Sequence, residues 1–302
     1  MSKKSKSQKI ALCMLVCNEE EFLERCLKSA KGLYDELIVV DTGSKDKSVQ
    51  VAKKFGAKVI EIEWRDDFAW ARNEGIKKAK SEWIFILDPD EVIAKKDIQK
   101  IRELTKREGV MVCQIPTRNY TNNSVMPSFI PNRGEYEEEL GYRGYVKSMK
   151  TRLFRNNIGL KFEGIIHEMI DYQAHRRKLN GVTTEIPIHH YTAEKARRVG
   201  MTKAFFMIRI CEKKVEKNPK DGQAWWEMGA IQSSMGLQGS ALESMKIAIK
   251  LGHVKPEFLF IVAMLLKNMK KIEEGNRYFE KAICLINPEL THIKEEFKKL
   301  RL

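Results

Sequence analysis

The chain has 302 residues, of which 43% are hydrophobic and 32% are charged. This composition is typical of a globular protein with a substantial core, and the length allows one large domain or two of ordinary size. The longest apolar run, residues 258–266, is far shorter than the roughly 20 residues that span a bilayer. The apolar run at 10–17 is too short for a signal sequence. We therefore expect a cytoplasmic protein.

The formal net charge is +14. It favours polyanionic partners such as nucleic acid, phosphorylated ligands or an acidic membrane, or else it is a solvated basic surface. Without a recognition helix, a zinc finger or an aromatic RNA-binding motif, a specific nucleic-acid role is not expected. The six cysteines stand singly in apolar patterns, with no C-x-x-C pair. This spacing disfavours zinc and redox sites and predicts mostly buried thiols.

The first third of the chain alternates short apolar runs with amphipathic stretches. The runs predict buried strands, and the stretches predict helices because their apolar residues recur at helical spacing. Gly32 and Gly56 end the first two helices. Buried strands separated by helices indicate an α/β fold with a parallel sheet covered on both faces. The predicted strands are 10–17, 36–40, 58–62 and 83–87, with a helix near 68–79 before the last of them.

From about Val110 to Tyr191 the pattern changes, and the apolar runs are farther apart. The stretch from Asn119 to Lys147 is polar and predicts a long loop. Loops of this length are uncommon unless they are functional. The strands predicted in this part of the chain are 110–116, 150–154 and 185–191.

The last third is helical and repeats with a period of 34 residues, which resembles the tetratricopeptide repeat. The helix at 203–217 resembles the second helix of an earlier, incomplete repeat. Trp226 and the run 258–266 are then predicted to lie in the hydrophobic core between repeats. The alternative is that they form a surface that binds a ligand or a membrane. We expect a first domain at 1–192 and a helical domain at 193–302. The residues paired by the period are Gly229 and Ala263, Gly236 and Lys270, Ala241 and Gly275, Met245 and Phe279, and Ala248 and Ala282.

Polar segments follow three of the predicted parallel strands, whose carboxyl ends converge where open sheets bind ligands. No G-x-G-x-x-G and no P-loop motif occurs, so a dinucleotide site is not expected. Pro89 favours an extended Asp88, so Asp88 and Asp90 face one side and suit a divalent cation. The alternative is that Asp90 and Glu91 cap a helix near Ile93. The segments are Asn18-Glu19-Glu20, Asp41-Thr42-Gly43-Ser44 and Asp88-Pro89-Asp90-Glu91.

Four segments together resemble family 2 glycosyltransferases with the GT-A fold. They are ALCMLVCNEEEFLERCLKSA, DELIVVDTGSKDKS, WRDDFAWARNEG and WIFILDPDE. The commonest metal motif of that family is Asp-Ala-Asp, and this chain has Pro89 at its centre but keeps both acids. The resemblance implies a mostly parallel GT-A sheet followed by an all-α tetratricopeptide-like region. It also implies a UDP-sugar donor and a divalent cation, Mn²⁺ or Mg²⁺.

The resemblance also implies roles for individual residues. Asp41 would bind uracil, Asp88 would lie near the ribose, and Asp90 would hold the metal on the diphosphate. Arg72 would sit near the nucleotide. The other nucleotide-sugar contacts would come from Cys17, Asn18, Glu19 and Ser44.

The stretch RLFRNNIGLKFEGIIHE at 152–168 matches an F-x-G-x-I-H-E segment of the family. By this match Glu168 is the base and His167 lies on the diphosphate or acceptor side. The alternative is that Glu168 only pairs with Arg152 or Arg155. His190 is predicted as a further metal or phosphate ligand, with a purely structural histidine as the alternative.

Family 2 enzymes with C-terminal tetratricopeptide repeats resemble peptide-modifying transferases, including S-glycosyltransferases of bacteriocin precursors. We therefore expect inverting, metal-dependent transfer of a hexose or N-acetylhexosamine from a UDP-sugar to a Cys, Ser or Thr of a peptide or protein. The repeats would dock the acceptor or form a homodimer. The first alternative acceptor is lipopolysaccharide or another envelope glycan, with the basic surface in peripheral contact with the membrane. The second alternative is a non-catalytic nucleotide-binding scaffold.

Overall fold

The structure of the chain is a computed structural model that describes residues 8–124, 128–165 and 168–285, with the backbone alone for 192–204. The chain divides into two compact units, with the boundary between Arg198 and Val199. In the described residues the first unit is built on one 10-stranded sheet. The second unit is helical.

The first half of the sheet is built from the apolar runs. Each strand predicted before residue 90 is present, with ends that differ by a residue or so. A short strand and a helix that were not predicted follow the last of them. In chain order the elements are β1 (Ile10–Val16), α1 (Glu20–Ser29), β2 (Glu36–Asp41), α2 (Ser48–Lys54), β3 (Lys58–Glu61), α3 (Phe68–Ile76), β4 (Trp83–Ile86), β5 (Glu91–Ile93) and α4 (Ile98–Leu104).

The strands β1 to β4 form a parallel block with helices on both faces. β1 pairs in parallel with β2 and β4, and β2 pairs in parallel with β3. Alternate residues of β1 enter different cores, because successive side chains of a strand point to opposite faces. Leu12 and Met14 pack with residues of α1, α2 and α4, whereas Ala11 and Cys13 pack with Ala69 of α3. The prediction of a sheet covered on both faces is confirmed.

The second half of the sheet turns it into a mixed sheet. β8 is antiparallel to both β4 and β6, and β5 is antiparallel to β10. The strand order is β3-β2-β1-β4-β8-β6-β10-β5, with β7 beside β8 and β9 beside β6. The elements after α4 are β6 (Val112–Thr121), β7 (Phe129–Pro131), β8 (Gly144–Arg155), α5 (Asp171–Arg176), β9 (Gly181–Thr183) and β10 (Ile188–His190).

The prediction of a loop over 119–147 is wrong at both ends of that stretch and near its middle. β6 continues to Thr121, β8 already begins at Gly144, and β7 lies between them. The polar composition concealed these strands because their polar side chains have partners in the fold. Arg118 of β6 donates to Glu135 and Glu139 at 2.6 and 2.5 Å. A strand with paired polar residues lacks the apolar pattern from which a strand is predicted.

The second unit repeats with the predicted period. α7 and α9 begin 34 residues apart, and so do α8 and α10, so the chain forms two successive helical hairpins. Trp226 is buried and its ring lies 3.9 Å from that of Phe258, between the two hairpins. Its placement in the core between repeats is therefore confirmed. The helices are α6 (Thr192–Lys217), α7 (Gly222–Ser234), α8 (Gln238–Lys250), α9 (Pro256–Asn268) and α10 (Ile272–Leu285).

Small residues at the repeat positions let the paired helices approach closely. A Cβ on Gly229 of α7 would lie 2.7 Å from the Met245 side chain and 3.0 Å from the Ala241 carbonyl oxygen of α8. A Cβ on Gly275 of α10 would lie 3.1 Å from the Ala263 carbonyl oxygen of α9. The small residues that repeat every 34 positions therefore lie where the paired helices cross.

Most cysteines are buried, as their spacing predicted, and Cys17 and Cys284 are exposed. None of the helices in the described ranges is both long and apolar enough to cross a membrane. The buried cysteines are Cys13, Cys26, Cys113 and Cys211.

The turns that end α7 and α9 lead to a stability prediction. Gly236 and Lys270 occupy the same repeat position, and both have a positive φ, 78° and 60°. Lys270→Gly should raise the free energy of unfolding by about 1 kcal/mol, because a non-glycine residue in the left-handed region costs about 1–2 kcal/mol and glycine's extra freedom when unfolded offsets part of that.

Lys267→Gly is the matched control, because Lys267 lies in the last turn of α9, where a glycine should cost up to about 1 kcal/mol. Denaturant unfolding of the two variants and the wild type measures both effects. Equal losses of stability in the two variants would contradict the prediction.

Candidate active site

The loops after β1 and β2 are tied together at the carboxyl edge of the sheet. Asp41 is 3% exposed and accepts hydrogen bonds from the backbone N–H groups of Gly43 and Ser44 at 3.0 and 2.9 Å. The Ser44 hydroxyl donates to Asp41 and accepts from the Asn18 N–H at 2.9 Å. Asn18 Oδ1 in turn accepts from the Lys45 N–H at 2.7 Å. These contacts bring the predicted residues Asn18, Asp41 and Ser44 into one cluster.

The start of α1 is held by α2 and the loop before it. The Glu19 N–H donates to Ser48 Oγ at 2.7 Å, and the Glu20 N–H donates to Asp46 Oδ2 at 3.0 Å. Cys17 is exposed beside these loops. Partial desolvation, together with the Asp41 carboxylate, raises the pKa of its thiol. A protonated thiol is a poor nucleophile, so Cys17 can line a site but not attack from it.

One guanidinium joins the segment after β4 to the loop after β8. Arg72 of α3 donates from Nη2 to Asp88 Oδ1 at 2.7 Å and from Nε to Glu168 Oε1 at 2.6 Å. Nε and Nη2 form a single edge of the guanidinium, so Asp88 and Glu168 lie side by side along it. The three side chains are only 12–23% exposed.

The positive charges of this cluster fix the ionisation state of Asp88. Burial by itself would raise the pKa of Asp88, but the cations Arg72, Arg152 and Lys150 hold that pKa well below its usual range. Burial would likewise lower the pKa of Arg72, and the charges of Asp88 and Glu168 raise it instead. Asp88 is therefore ionised at neutral pH, as opposite charges at this distance require.

A second arginine, which sequence analysis did not identify as part of the site, holds the turn after β4. Arg152 of β8 is 2% exposed and forms a two-pronged ion pair with the fully buried Glu91. Its Nη1 lies 2.6 Å from Glu91 Oε2, which also accepts from the Asp88 N–H at 2.9 Å. The only role predicted for Arg152 from the sequence was that of an alternative ion-pair partner of Glu168. The signal was an arginine directly before the apolar pair Leu153-Phe154 in a predicted strand, KTRLF.

The two alternative roles that the sequence allowed for the acidic residues are wrong. Glu91 to Ile93 form β5 and pair with β10. The 3-10 turn at Lys95–Asp97 and α4 after it have Ala94 and Asp97 as their N-caps, not Asp90 or Glu91. Glu91 neutralises Arg152 and does not cap a helix. Glu168 pairs with Arg72, not with Arg152 or Arg155. Arg155 lies over the Trp83 ring at 4.6 Å.

Asp90 and His190 face each other across the β5–β10 pair. Asp90 is 6% exposed, and its Oδ2 lies 3.3 Å from His190 Nε2. Asn119 donates from Nδ2 to the Val146 carbonyl and to Ser148 Oγ. Its Oδ1 therefore faces His190 Nδ1, at 2.8 Å, and Nδ1 carries the proton. The lone pair of a neutral His190 then points from Nε2 towards the Asp90 carboxylate.

A carboxylate oxygen and an imidazole nitrogen at this distance are a donor set that suits a divalent metal ion. Among the residues that the structure describes, no group of three or more metal-ligating side chains occurs. Two protein ligands suit Mg²⁺ or Mn²⁺ bound through substrate phosphates, which supply the remaining oxygens. His167 lies outside the described residues. Asn119, which orients His190, was missed because an asparagine in a polar stretch carries no signal of its own.

The sequence comparison decides the family. A profile of glycosyl transferase family 2 matches residues 11–161, half of the 302-residue chain. The chain belongs to glycosyl transferase family 2. The matched region contains Asp41, Arg72, Asp88 and Asp90, and it ends before Glu168 and His190. Within this family the mixed sheet described above is the GT-A fold that the resemblance implied.

Two relatives are similar to large parts of this family 2 chain. A tetratricopeptide repeat-containing protein of Synechococcus elongatus is 28% identical over 284 residues, which are 91% of this chain and 66% of that protein. The SPbeta prophage-derived glycosyltransferase SunS of Bacillus subtilis is 33% identical over 167 residues, 55% of this chain and 35% of SunS. The chain thus spans less than two thirds of the length of either relative.

Solved structures with a similar trace include TarS of S. aureus, residues 1–349, in complex with UDP-GlcNAc. Its TM-score is 0.48 at 14% identity, over 89% of both chains. Glucosyl-3-phosphoglycerate synthase of Mycobacterium tuberculosis, in complex with phosphoglyceric acid, has a TM-score of 0.45 at 15% identity. That match covers 76% of this chain and 80% of the other.

The buried pair leads to a prediction about stability. Arg152→Met should lower the free energy of unfolding by about 3–5 kcal/mol, because it leaves Glu91 buried without its cation. The double variant Arg152→Met, Glu91→Leu should recover most of that loss, because an apolar pair carries no desolvation cost.

Arg155→Met is the matched control on the same strand. It removes a cation–π contact with the buried Trp83 ring, which is worth up to about 2 kcal/mol when it is shielded from water. Denaturant unfolding at pH 7 measures all three variants. A single variant at Arg152 that is as stable as the control would show that the pair does not support the turn.

Proposed function

We propose that this chain is a metal-dependent, inverting glycosyltransferase that moves a hexose or N-acetylhexosamine from a UDP-sugar to a Cys, Ser or Thr side chain of a peptide or protein. Family membership supports sugar transfer in general. The observation that carries the metal dependence is the pair of Asp90 Oδ2 and His190 Nε2, 3.3 Å apart at the ligand-binding edge of the sheet.

The donor would lie across the loops at this edge. Asp41 and Ser44 would hold the uracil, and Asn18, Glu19 and Cys17 would line the same end of the site. Asp88 would meet the ribose, with its carboxylate kept ionised by Arg72. These assignments place the nucleotide between loops that already hold one another by hydrogen bonds, so the free protein needs little reorganisation to bind it.

Asp90 and His190 would hold the divalent cation, which neutralises the negative charge that grows on the departing diphosphate. The donor set supports this role, because the Asn119 contact leaves the His190 Nε2 lone pair free to bind a metal. Arg72 adds a fixed positive charge in the cluster beside Asp88. Preorganised positive charge at the leaving group is the main contribution that a protein makes to such a step.

Glu168 would be the base. Its Oε1 accepts from Arg72, and its second oxygen would take the proton of the acceptor O–H or S–H group. The acceptor atom then forms its bond to the anomeric carbon from the face opposite UDP. The bond from that carbon to the diphosphate oxygen breaks, and its electron pair leaves with UDP. Attack from the opposite face inverts the configuration of the sugar.

The peptide acceptor is supported by the helical unit. Helical repeats form extended concave surfaces that suit extended peptides, and the unit contains two hairpins of the repeat period. The relative SunS is named a glycosyltransferase, and the sequence resemblance to peptide-modifying transferases described above favours a peptide over an envelope glycan.

The metal pair generates the first functional prediction. Asp90→Asn and His190→Ala should each weaken Mn²⁺ binding in the presence of UDP by at least about 10-fold. They should also abolish the slow release of UDP from a UDP-sugar. Electron paramagnetic resonance of free Mn²⁺ and a coupled UDP assay measure the two effects, and EDTA should stop the wild-type reaction.

Asp35→Asn and His175→Ala are the matched controls. Asp35 precedes β2 at the opposite edge of the sheet, where it pairs with Arg102, and His175 is exposed on α5. Both controls should bind Mn²⁺ and release UDP like the wild type. If His190→Ala also behaves like the wild type, His190 is a structural residue and not a ligand.

The base generates the second functional prediction. Glu168→Gln should lower the turnover of UDP-sugar by about 10²–10⁴-fold, because the amide cannot accept the proton. UDP affinity should stay within about twofold, because the amide oxygen of the new side chain can still accept from Arg72. The UDP assay gives turnover, calorimetry gives affinity, and intact-mass analysis of cysteine- or serine-containing peptides reports transfer.

Glu163→Gln is the control on the same loop, where the Glu163 side chain pairs with Arg176. It should retain full turnover. A Glu168→Gln variant that turns over at the wild-type rate would rule out Glu168 as the base.

A further inference from the structure

We propose that Asn73 is a positioning residue for the reaction, because it anchors the loop that carries Glu168. This proposal rests on the proposed role of Glu168 as the base. Asn73 donates from Nδ2 to the Phe162 carbonyl at 3.0 Å, and its Oδ1 accepts from the Phe162 N–H at 2.9 Å. The side chain therefore binds one residue of the loop through both of its backbone groups, as a neighbouring strand would.

The adjacent residues of α3 hold the same loop further along. Arg72 binds the Glu168 carboxylate, and the Phe68 N–H donates to the Ile165 carbonyl at 3.1 Å. Glu163 and Met169 close the loop with two backbone hydrogen bonds, at 3.0 and 2.9 Å. α3 thus contacts the loop at three points, which are Phe162, Ile165 and the Glu168 carboxylate.

Phe162 itself is a fixed point. Its ring is 8% exposed and packs with Leu160 and Ile170 in the core beneath α3. The Arg72 guanidinium carbon lies 5.5 Å from the centre of that ring. The two consecutive residues Arg72 and Asn73 therefore hold the loop's entry and its carboxylate from one helix turn. A base must lie within hydrogen-bond reach of the proton that it removes, so the placement of this loop sets the rate.

Only a side-chain amide can both donate to the Phe162 carbonyl and accept from the Phe162 N–H in this geometry. It offers one donor and one acceptor in one plane, whereas a carboxylate only accepts. Asn73→Asp would keep the bond from the Phe162 N–H but set an oxygen against the Phe162 carbonyl. Two electron-rich oxygens at this distance repel, so the loop should move away from α3.

The experiment measures UDP release from UDP-glucose and UDP-N-acetylglucosamine, with Mn²⁺ present, for Asn73→Ala and Asn73→Asp. We expect kcat to fall by about 10–100-fold, because a shift of about 1 Å in a reacting group can cost about 10²-fold. The KM of the donor and the affinity for UDP should stay within about twofold, which also shows that each variant is folded.

Asn156→Ala is the matched control. Asn156 likewise donates two hydrogen bonds to backbone carbonyls, those of Ala79 and Ser81 at 3.0 and 2.9 Å, at the opposite edge of the sheet. Its loss should leave kcat unchanged. Combining Asn73→Ala with Glu168→Gln should lower kcat no further than Glu168→Gln alone, because a residue that acts through Glu168 has nothing left to position.

Each outcome bears on one of the two proposals or on both. Asn73 variants with wild-type kcat, or with an equal loss in the presence and absence of Glu168, overturn the role of Asn73 and leave the base intact. A fully active Glu168→Gln variant overturns the base, and the positioning role with it. A wild-type protein that releases no UDP from either donor overturns the proposed function and leaves Asn73 no reaction to serve.

Discussion

The candidate site depends on the sharing of one positive charge by two carboxylates. Asp88 and Glu168 come from distant parts of the chain and meet on one edge of the Arg72 guanidinium. Two buried carboxylates side by side would otherwise repel each other. Arg72, together with Arg152 and Lys150, holds the pKa of Asp88 well below its usual range, so Asp88 stays a strong acceptor for a ribose hydroxyl. Arg72 therefore fixes the positions of both carboxylates of the site.

The second arginine, Arg152, fixes the backbone of the site, whereas Arg72 fixes its carboxylate side chains. Arg152 neutralises Glu91, and Glu91 accepts from the Asp88 N–H. This buried pair defines the turn from which Asp88 and Asp90 project in different directions, one towards Arg72 and the other towards His190. A buried ion pair contributes little net stability compared with an apolar pair, but it tolerates few alternative geometries. We infer that its value here lies in holding the turn in one conformation.

The helices and strands of the two units could be predicted from the sequence to different degrees, because different contacts stabilise them. In the helical unit the period is visible because each small residue serves a local contact between sequential helices, as Gly229 does against Ala241 and Met245. In the sheet unit β1, β2 and β4 were predictable because burial on both faces makes them nearly continuous apolar runs. The strands around 119–147 were not, since their polar residues pair with one another after folding. Arg118, with Glu135 and Glu139, is such a case.

By itself the sequence determined the order of strands and helices at the start of the chain, the repeat period, and the acids that gather where parallel strands end. These features are local, because periodicity and strand ends are properties of short segments. Only the tertiary structure decided which charges pair. Glu168 is 96 positions from Arg72, and Glu91 is 61 positions from Arg152. Ion-pair partners this far apart cannot be predicted from the positions of the residues along the chain. They are selected by the packing of β8, the loop after it and α3 around a sheet that exists only once the chain has folded.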